Sequence, residues 1–142
     1  MATTYYHRAN APRRPLGVWL LTIFDGFVAG IVPIVSAVAA LSGVLPLPGD
    51  EPMAVLLAFI GIGVLGTAVG AWQGSNRARI ALLVLVTVFY ALNITGNAVV
   101  ATADYVPETA QNKAWANVVR GVFWVGLNYW YWLRLATRAW FR

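Results

Sequence analysis

The chain has 142 residues, 60% of them hydrophobic and only 11% charged, with a formal net charge of +5, one histidine and no cysteine. Soluble domains carry about 25% charged residues, so this scarcity of charge excludes an ordinary soluble globule. The missing thiols exclude a disulfide framework, a thiolate metal site and a cysteine nucleophile, and the positive balance is that of a membrane protein with basic cytoplasmic loops rather than of a nucleic-acid binder.

The length accommodates about four spans of about 20 residues joined by short loops, which leaves no room for a soluble domain. Residues 1–15 form a polar, basic cytoplasmic tail with Arg8, Arg13, Arg14, Pro12 and Pro15. The Ala37-Val38-Ala39 triplet resembles a signal-peptide cleavage site. The apolar run before it is longer than the about 7–15 residues of a signal h-region, so it is expected to remain as a span.

Span 1 is predicted over 16–41. At helical spacing Thr22, Asp25, Gly26, Ala29, Gly30, Pro33, Ala37 and Ala40 form one small or polar stripe, while Trp19, Leu20, Ile23, Phe24, Phe27, Ile31, Ile34 and Val38 cover the rest. In lipid, bulky apolar residues turn outward and small ones turn toward other helices. Asp25 therefore belongs on the protein side, nine residues or about 14 Å below the inner edge at Leu16, near the middle of the about 30 Å hydrocarbon core.

Gly43, Pro46, Pro48 and Gly49 end that span, and Asp50 and Glu51 follow. Span 2 is predicted over 52–72, with Pro52 in its first turn and a small stripe of Gly63, Gly66, Thr67, Gly70 and Gly74. Gly26 with Gly30, and Gly66 with Gly70, each spell Gly-x-x-x-Gly, a spacing that lets helix backbones approach closely. Span 1 is therefore expected to pack on span 2 through these two pairs. A basic connection, Gln73 to Arg79, leads to span 3 over 80–103. An acidic external loop with Asp104, Pro107 and Glu108 leads to span 4 over 115–135, and residues 136–142 make a basic, aromatic tail.

With both termini inside, eight cations (Arg8, Arg13, Arg14, Arg77, Arg79, Arg134, Arg138, Arg142) face the cytoplasm, against Lys113 and Arg120 outside. Short-loop Lys and Arg set orientation, so this asymmetry predicts an all-α, four-span inner-membrane bundle with both termini cytoplasmic. Trp19, Trp72, Trp115 and Trp132 lie near span ends, where an aromatic belt belongs.

Three short motifs are Arg14-Pro15-Leu16-Gly17, the run from Trp72 through Gly74 to Ala78-Arg79, and the ending Tyr131-Trp132-Leu133 followed by Thr137-Arg138-Ala139-Trp140-Phe141. In these the chain resembles a loose group of small bacterial and archaeal four-helix membrane proteins. They open with Arg-Pro-x-Gly, carry a Trp-x-Gly…Ala-Arg hairpin between spans 2 and 3, and end in an aromatic, basic, Phe-terminated tail. The resemblance implies the four-span layout and no activity or site residue.

Asp25 is the principal candidate for function. At its depth lie Gly63, Tyr90 and Gly126, with Asn128 about one turn inward, so Tyr90 and Asn128 are its expected partners. Intramembrane acids often mark proton or cation paths; the plainer alternative is an acid hydrogen-bonded between helices or at an interface with another subunit. Asn93 and Asn97 share a face of span 3. They are expected either to satisfy the carbonyl that Pro33 frees near residue 29, or to line a polar pathway. Arg134, Arg138 and Arg142, four apart, would give a helix one basic face for lipid headgroups.

Phe123, Trp124, Tyr129, Trp130, Tyr131, Trp132, Trp140 and Phe141 make span 4 and its tail aromatic. That density suits an interfacial anchor, or less economically a hydrophobic cofactor or pigment. His7 alone supports neither a bis-histidine haem nor a histidine metal cluster. No carboxylate pair lies within the membrane, no serine lies near a plausible base, and no phosphate-binding glycine loop follows a strand. The sequence thus predicts a non-enzymatic accessory or scaffold protein without metal or cofactor. Its expected partners are the lipid bilayer and other membrane subunits or copies of itself, and an oligomeric proton-coupled transporter or channel is the alternative.

Overall fold

The structure, a computed structural model, describes residues 15–44, 50–134, 137, 140 and 141. Among the described residues four long helices follow in order: α1 over Leu16–Leu41, α2 over Asp50–Trp72, α3 over Asn76–Thr102 and α4 over Glu108–Trp132. α1, the Glu51–Trp72 portion of α2, and α3 are long and apolar enough to cross a membrane. α4 has the length but is not among them; Glu108, Gln111, Asn112, Lys113, Asn117, Arg120 and Asn128 make it more polar.

α1 is not a uniform α-helix. Residues Gly26–Ile31 form a π turn, in which the Val32 N–H donates to the Phe27 carbonyl five residues back. The cause is Pro33, whose ring in a regular helix collides with the carbonyl four residues earlier and whose nitrogen has no hydrogen to give. Widening the turn ahead of the proline absorbs the conflict within the helix. The Asn93 and Asn97 amides, expected near that carbonyl, bond elsewhere.

The ends of α1 and α2 use glycine in the same way. Gly43 (φ 75°) and Gly74 (φ 90°) adopt the left-handed region. The next residue reaches back to an open carbonyl: Val44 N–H to Ala39 at 2.9 Å and Ser75 N–H to Gly70 at 3.0 Å. Ser75 then caps α3 by accepting from the Ala78 N–H at 3.3 Å. This cap starts α3 at Asn76 rather than at Ile80, so Arg77 and Arg79 are helical instead of belonging to a loop.

The connection from α3 to α4 is also shorter than expected. Pro107 flanks α4 on its N-terminal side, and Glu108 occupies the first turn, where a negative charge suits the helix dipole. α4 therefore begins seven residues before Trp115 and stops at Trp132, short of 135. Gln111 Nε2 holds the intervening loop by donating to the Ala103 and Val106 carbonyls at 2.8 and 3.1 Å.

The helices run antiparallel to their neighbours. Gly30 meets Gly61 and Leu65, Gly26 meets Leu65 and Ala68, Gly70 meets Ala78, and Gly121 meets Ile94. Trp19 and Trp72 rings lie 6.2 Å apart where α1 begins and α2 ends. The core between helices is built from Val18, Leu21, Ala29, Val64, Leu82, Val86 and Trp132. Large apolar side chains coat the outside, among them Phe27, Phe59, Ile62, Val119 and Phe123. The division of span 1 into two faces holds for most residues: Thr22, Asp25, Gly26, Ala29, Gly30, Pro33 and Ala37 are buried, while Trp19, Leu20, Ile23, Phe27, Ile31 and Val38 are exposed; Ala40 is only half-buried, and Phe24 and Ile34, expected to face lipid, are half-buried against Trp124 and α2.

Close packing of α1 on α2 is present and uses the expected Gly26/Gly30 pair on α1, but not the Gly66/Gly70 pair on α2. A methyl group on Gly30 would fall 2.8 Å from Leu65 Cδ2, and one on Gly61 would fall 2.6 Å from the Gly30 carbonyl oxygen. Gly66 faces outward with nothing near it, and Gly70 packs on Ala78 of α3. The face of α2 that meets α1 is Gly61, Leu65 and Ala68, at spacings of four and three; Gly66 sits about 100° round the helix from Leu65.

Candidate functional site

Asp25 lies in α1 one residue before the π turn and is completely enclosed, 0% exposed. Thr22, one turn earlier, satisfies its own hydroxyl by donating to the Val18 carbonyl at 2.5 Å. Asn128 Nδ2 of α4 donates to Asp25 Oδ1 at 3.2 Å and to the Trp124 carbonyl at 3.1 Å. One turn further, Trp132 Nε1 donates to Asn128 Oδ1 at 2.9 Å. The Trp132 carbonyl in turn accepts from Arg79 Nη1 of α3 at 3.1 Å. Phe141 closes this end of the chain of contacts, its ring 5.2 Å from the Arg79 guanidinium and 5.7 Å from the Trp132 ring.

Spacing explains how the helices build this chain. Asn128 and Trp132 are four apart, so one face of α4 presents both. Sequence reasoning identified Asn128 but took Trp132 for a belt residue and Arg79 for a loop cation. The late α3 start assumed there hid the fact that Arg79 is in the first turn, buried, and aimed at the end of α4. Replacing Arg79 with Gln is expected to release the Phe141 contact and raise the rate of trypsin cleavage after Arg134 or Arg138 severalfold in detergent. An unchanged digestion profile would show that Arg79 does not hold the C-terminal segment.

Tyr90, the other expected partner, is drawn into the core near Asp25 and is 5% exposed. Its hydroxyl does not bond to the carboxylate: Tyr90 Oη and Asp25 Oδ2 are both buried without a hydrogen-bond partner among the described residues.

The amides of α3 belong to a second cluster. Asn97 Nδ2 donates to the Asn93 carbonyl at 2.8 Å and to Asn93 Oδ1 at 3.2 Å. Asn117 Nδ2 of α4 donates to Asn97 Oδ1 at 3.1 Å, and Arg120 Nη1 donates to Asn117 Oδ1 at 3.2 Å. Sequence reading placed Arg120 near the outer end of span 4, among the outer-side cations, and passed over Asn117. With α4 running from Glu108 to Trp132, Arg120 is its central residue. The Asn117/Arg120 spacing of three was the available signal.

Between α1 and α4 the bundle closes incompletely. Phe24 and Trp124 stack with ring centroids 4.2 Å apart and separate two crevices. One, ≈ 340 Å³, is apolar, lined by Gly17, Leu20, Leu127 and Tyr131 among others. The other, ≈ 350 Å³, lies among α1, α3 and α4 and brings together Val28, Val32, Tyr90, Asn93, Asn117 and Arg120. Asp25 lines neither.

The predicted basic face at the C-terminus falls mostly outside the described residues. α4 ends before Arg134, whose guanidinium lies 4.3 Å above the Trp130 ring, and Arg138 and Arg142 lie outside the described residues.

Fold and site together define an all-helical protein, three of whose four described helices are long and apolar enough to span a membrane. No family model matches the sequence, and no curated protein or solved structure matches it significantly.

Proposed function

We propose that the chain is a small, non-enzymatic protein of the bacterial inner membrane, an accessory or scaffold subunit that packs on lipid and on other membrane proteins. The enclosure of Asp25 carries this reading. The acid faces neither groove beside it and is bonded by Asn128, so it acts as a clamp fixing α1 to α4. Lys and Arg distribution orients the bundle, with the α2–α3 turn and both termini in the cytoplasm and α4 as the fourth span. Hydrogen bonds to α1 and α3 shelter Asn128 and Asn117 within that span.

Purification in a mild detergent, followed by size-exclusion chromatography with light scattering, tests the reading. Co-elution with another membrane protein, or with further copies, is expected. A monodisperse monomer with nothing bound would overturn it.

The unpartnered oxygens of Asp25 and Tyr90 favour a second reading, an oligomeric proton-coupled transporter or channel. In liposomes that reading requires pH-dependent flux that Asp25→Asn abolishes. No flux from the wild type rejects it.

A further inference from the structure

We propose that the groove among α1, α3 and α4 holds one anionic phospholipid of the outer leaflet, its phosphate on Arg120 and one acyl chain running inward past Trp124 to Phe24. This rests on the orientation given above, with the α3–α4 loop outside.

The groove is graded along the bundle. Asn128 bonds Asp25, Gly121 packs on Ile94, and Asn117 bonds Asn97, which together set the relative heights of α1, α3 and α4. Of the lining residues, Phe24, Val28 and Trp124 lie within about 6 Å of the Asp25 level, counted at about 1.5 Å per residue. Asn93, Arg120 and Asn117 lie further out, at about 9, 12 and 16 Å. With Asp25 near the midplane, the hydrocarbon ends about 15 Å out and the headgroup region about 20–22 Å out. The middle of α4 is therefore not the middle of the bilayer, and the polar end of the groove opens at the headgroups.

Arg120 is exposed and donates to Asn117 Oδ1, one turn outward. Its guanidinium is thus turned toward the headgroup boundary, as long basic side chains are at a membrane surface. That bond uses one of five donors, and among the described residues Arg120 has no acidic partner. Asn93 accepts from Asn97 through its carbonyl and side-chain oxygen, which leaves its amide nitrogen to donate. A phosphodiester takes such donors in a bidentate pair, and the apolar inner half suits hydrocarbon.

Charge and height select the occupant. No Asp or Glu lines the groove to receive a choline or ethanolamine cation, so an anionic headgroup such as phosphatidylglycerol is favoured. Inorganic phosphate would leave the apolar half unused. A second copy of the same orientation offers its acids at the wrong height. Asp50 and Glu51 open α2, Asp104 follows α3 and Glu108 opens α4. By the same count, with Gly61 beside Gly30, all of them lie about 10–18 Å further out than Arg120. Helical side chains tilt toward the N-terminus, which carries Glu51 and Glu108 outward still.

The test is native mass spectrometry of the purified full-length protein in mild detergent with equimolar phosphatidylglycerol and phosphatidylcholine of identical acyl chains. One phosphatidylglycerol is expected to be retained, at least fivefold over phosphatidylcholine. The preference should vanish in Arg120→Gln and in Val32→Trp, which fills the groove while keeping Arg120. It should persist in part in Arg120→Lys and be unchanged in Arg134→Gln, whose guanidinium lies over Trp130 toward the other end of α4. Elution volumes matching the wild type separate loss of lipid from loss of fold.

Equal retention of the two lipids by the wild type would overturn the proposal. So would a preference that survives Arg120→Gln, release of the lipid by millimolar inorganic phosphate, or a dimer or bound protein that depends on Arg120 and carries no lipid. The chain has no cysteine, so Tyr105→Cys, at an 88% exposed position of the α3–α4 loop, reports the orientation through an impermeant maleimide on right-side-out vesicles. Labelling without a lipid preference sinks this site and leaves the orientation standing; no labelling sinks both.

Discussion

Replacing Asn128 with Leu is expected to destabilise the bundle by about 2–4 kcal/mol, because it orphans two buried groups at about 1–3 kcal/mol each, moderated by the small net worth of hydrogen bonds in lipid. The groups are Asp25 Oδ1 and Trp132 Nε1, both bonded by this one amide. Neither can turn to water, since Asp25 and Trp132 are 0% and 1% exposed. Asp25→Asn keeps an acceptor oxygen opposite Asn128 and should stay within about 1 kcal/mol of the wild type. The double variant Asp25→Leu with Asn128→Leu should lose less than the two single losses added, because residues in direct contact couple. Reversible unfolding in mixed micelles of increasing SDS fraction measures the wild type, the Asn128→Leu, Asp25→Asn and Asp25→Leu variants and the double variant. An Asn128→Leu variant as stable as the wild type would mean that the Asp25 clamp contributes nothing to the fold.

Gly61→Leu is the other large effect, expected at about 3 kcal/mol or more, at or above the upper end of usual overpacking costs. Its first side-chain carbon would stand 2.6 Å from the Gly30 carbonyl oxygen and 2.7 Å from Ile34 Cγ1. A backbone carbonyl cannot swing aside as a side chain can, so α1 and α2 must separate along the interface. Gly30→Ala should cost less, because its nearest contacts are on the Leu65 side chain, which can change rotamer. Gly66→Ala meets nothing within 4 Å and should be neutral or stabilising by up to about 1 kcal/mol, from helix propensity alone. The same SDS titration ranks the three. If Gly66→Ala proves the most damaging, the packing face of α2 is the one its Gly-x-x-x-Gly suggests, not the one formed by Gly61 and Leu65.

The membrane character and the burial of Asp25 were legible in the sequence because both are properties of a single helix. A charge inside a long apolar run and a stripe of small residues at a spacing of three and four require no knowledge of neighbouring helices. Helix ends were less legible. Ser75 and Pro107 extend α3 and α4 beyond the apolar runs, and the hydropathy on which span limits rest does not register a cap. The Gly66/Gly70 pair shows the same limit. Two glycines at the right spacing permit a close approach, but only the rotation of α2 against α1 selects which face is used.

Composition and period alone established an all-helical, lipid-compatible chain with a two-faced first helix, since hydrophobicity and helical repeat act residue by residue along the chain. Tertiary structure decided what Asp25 holds, brought Arg79 and Trp132 into its chain of contacts, and left Arg120 beside an open groove. Those outcomes depend on the registers of α1, α3 and α4 against one another. Registers are fixed by the fit of side chains from distant segments, which no local pattern in a single sequence contains.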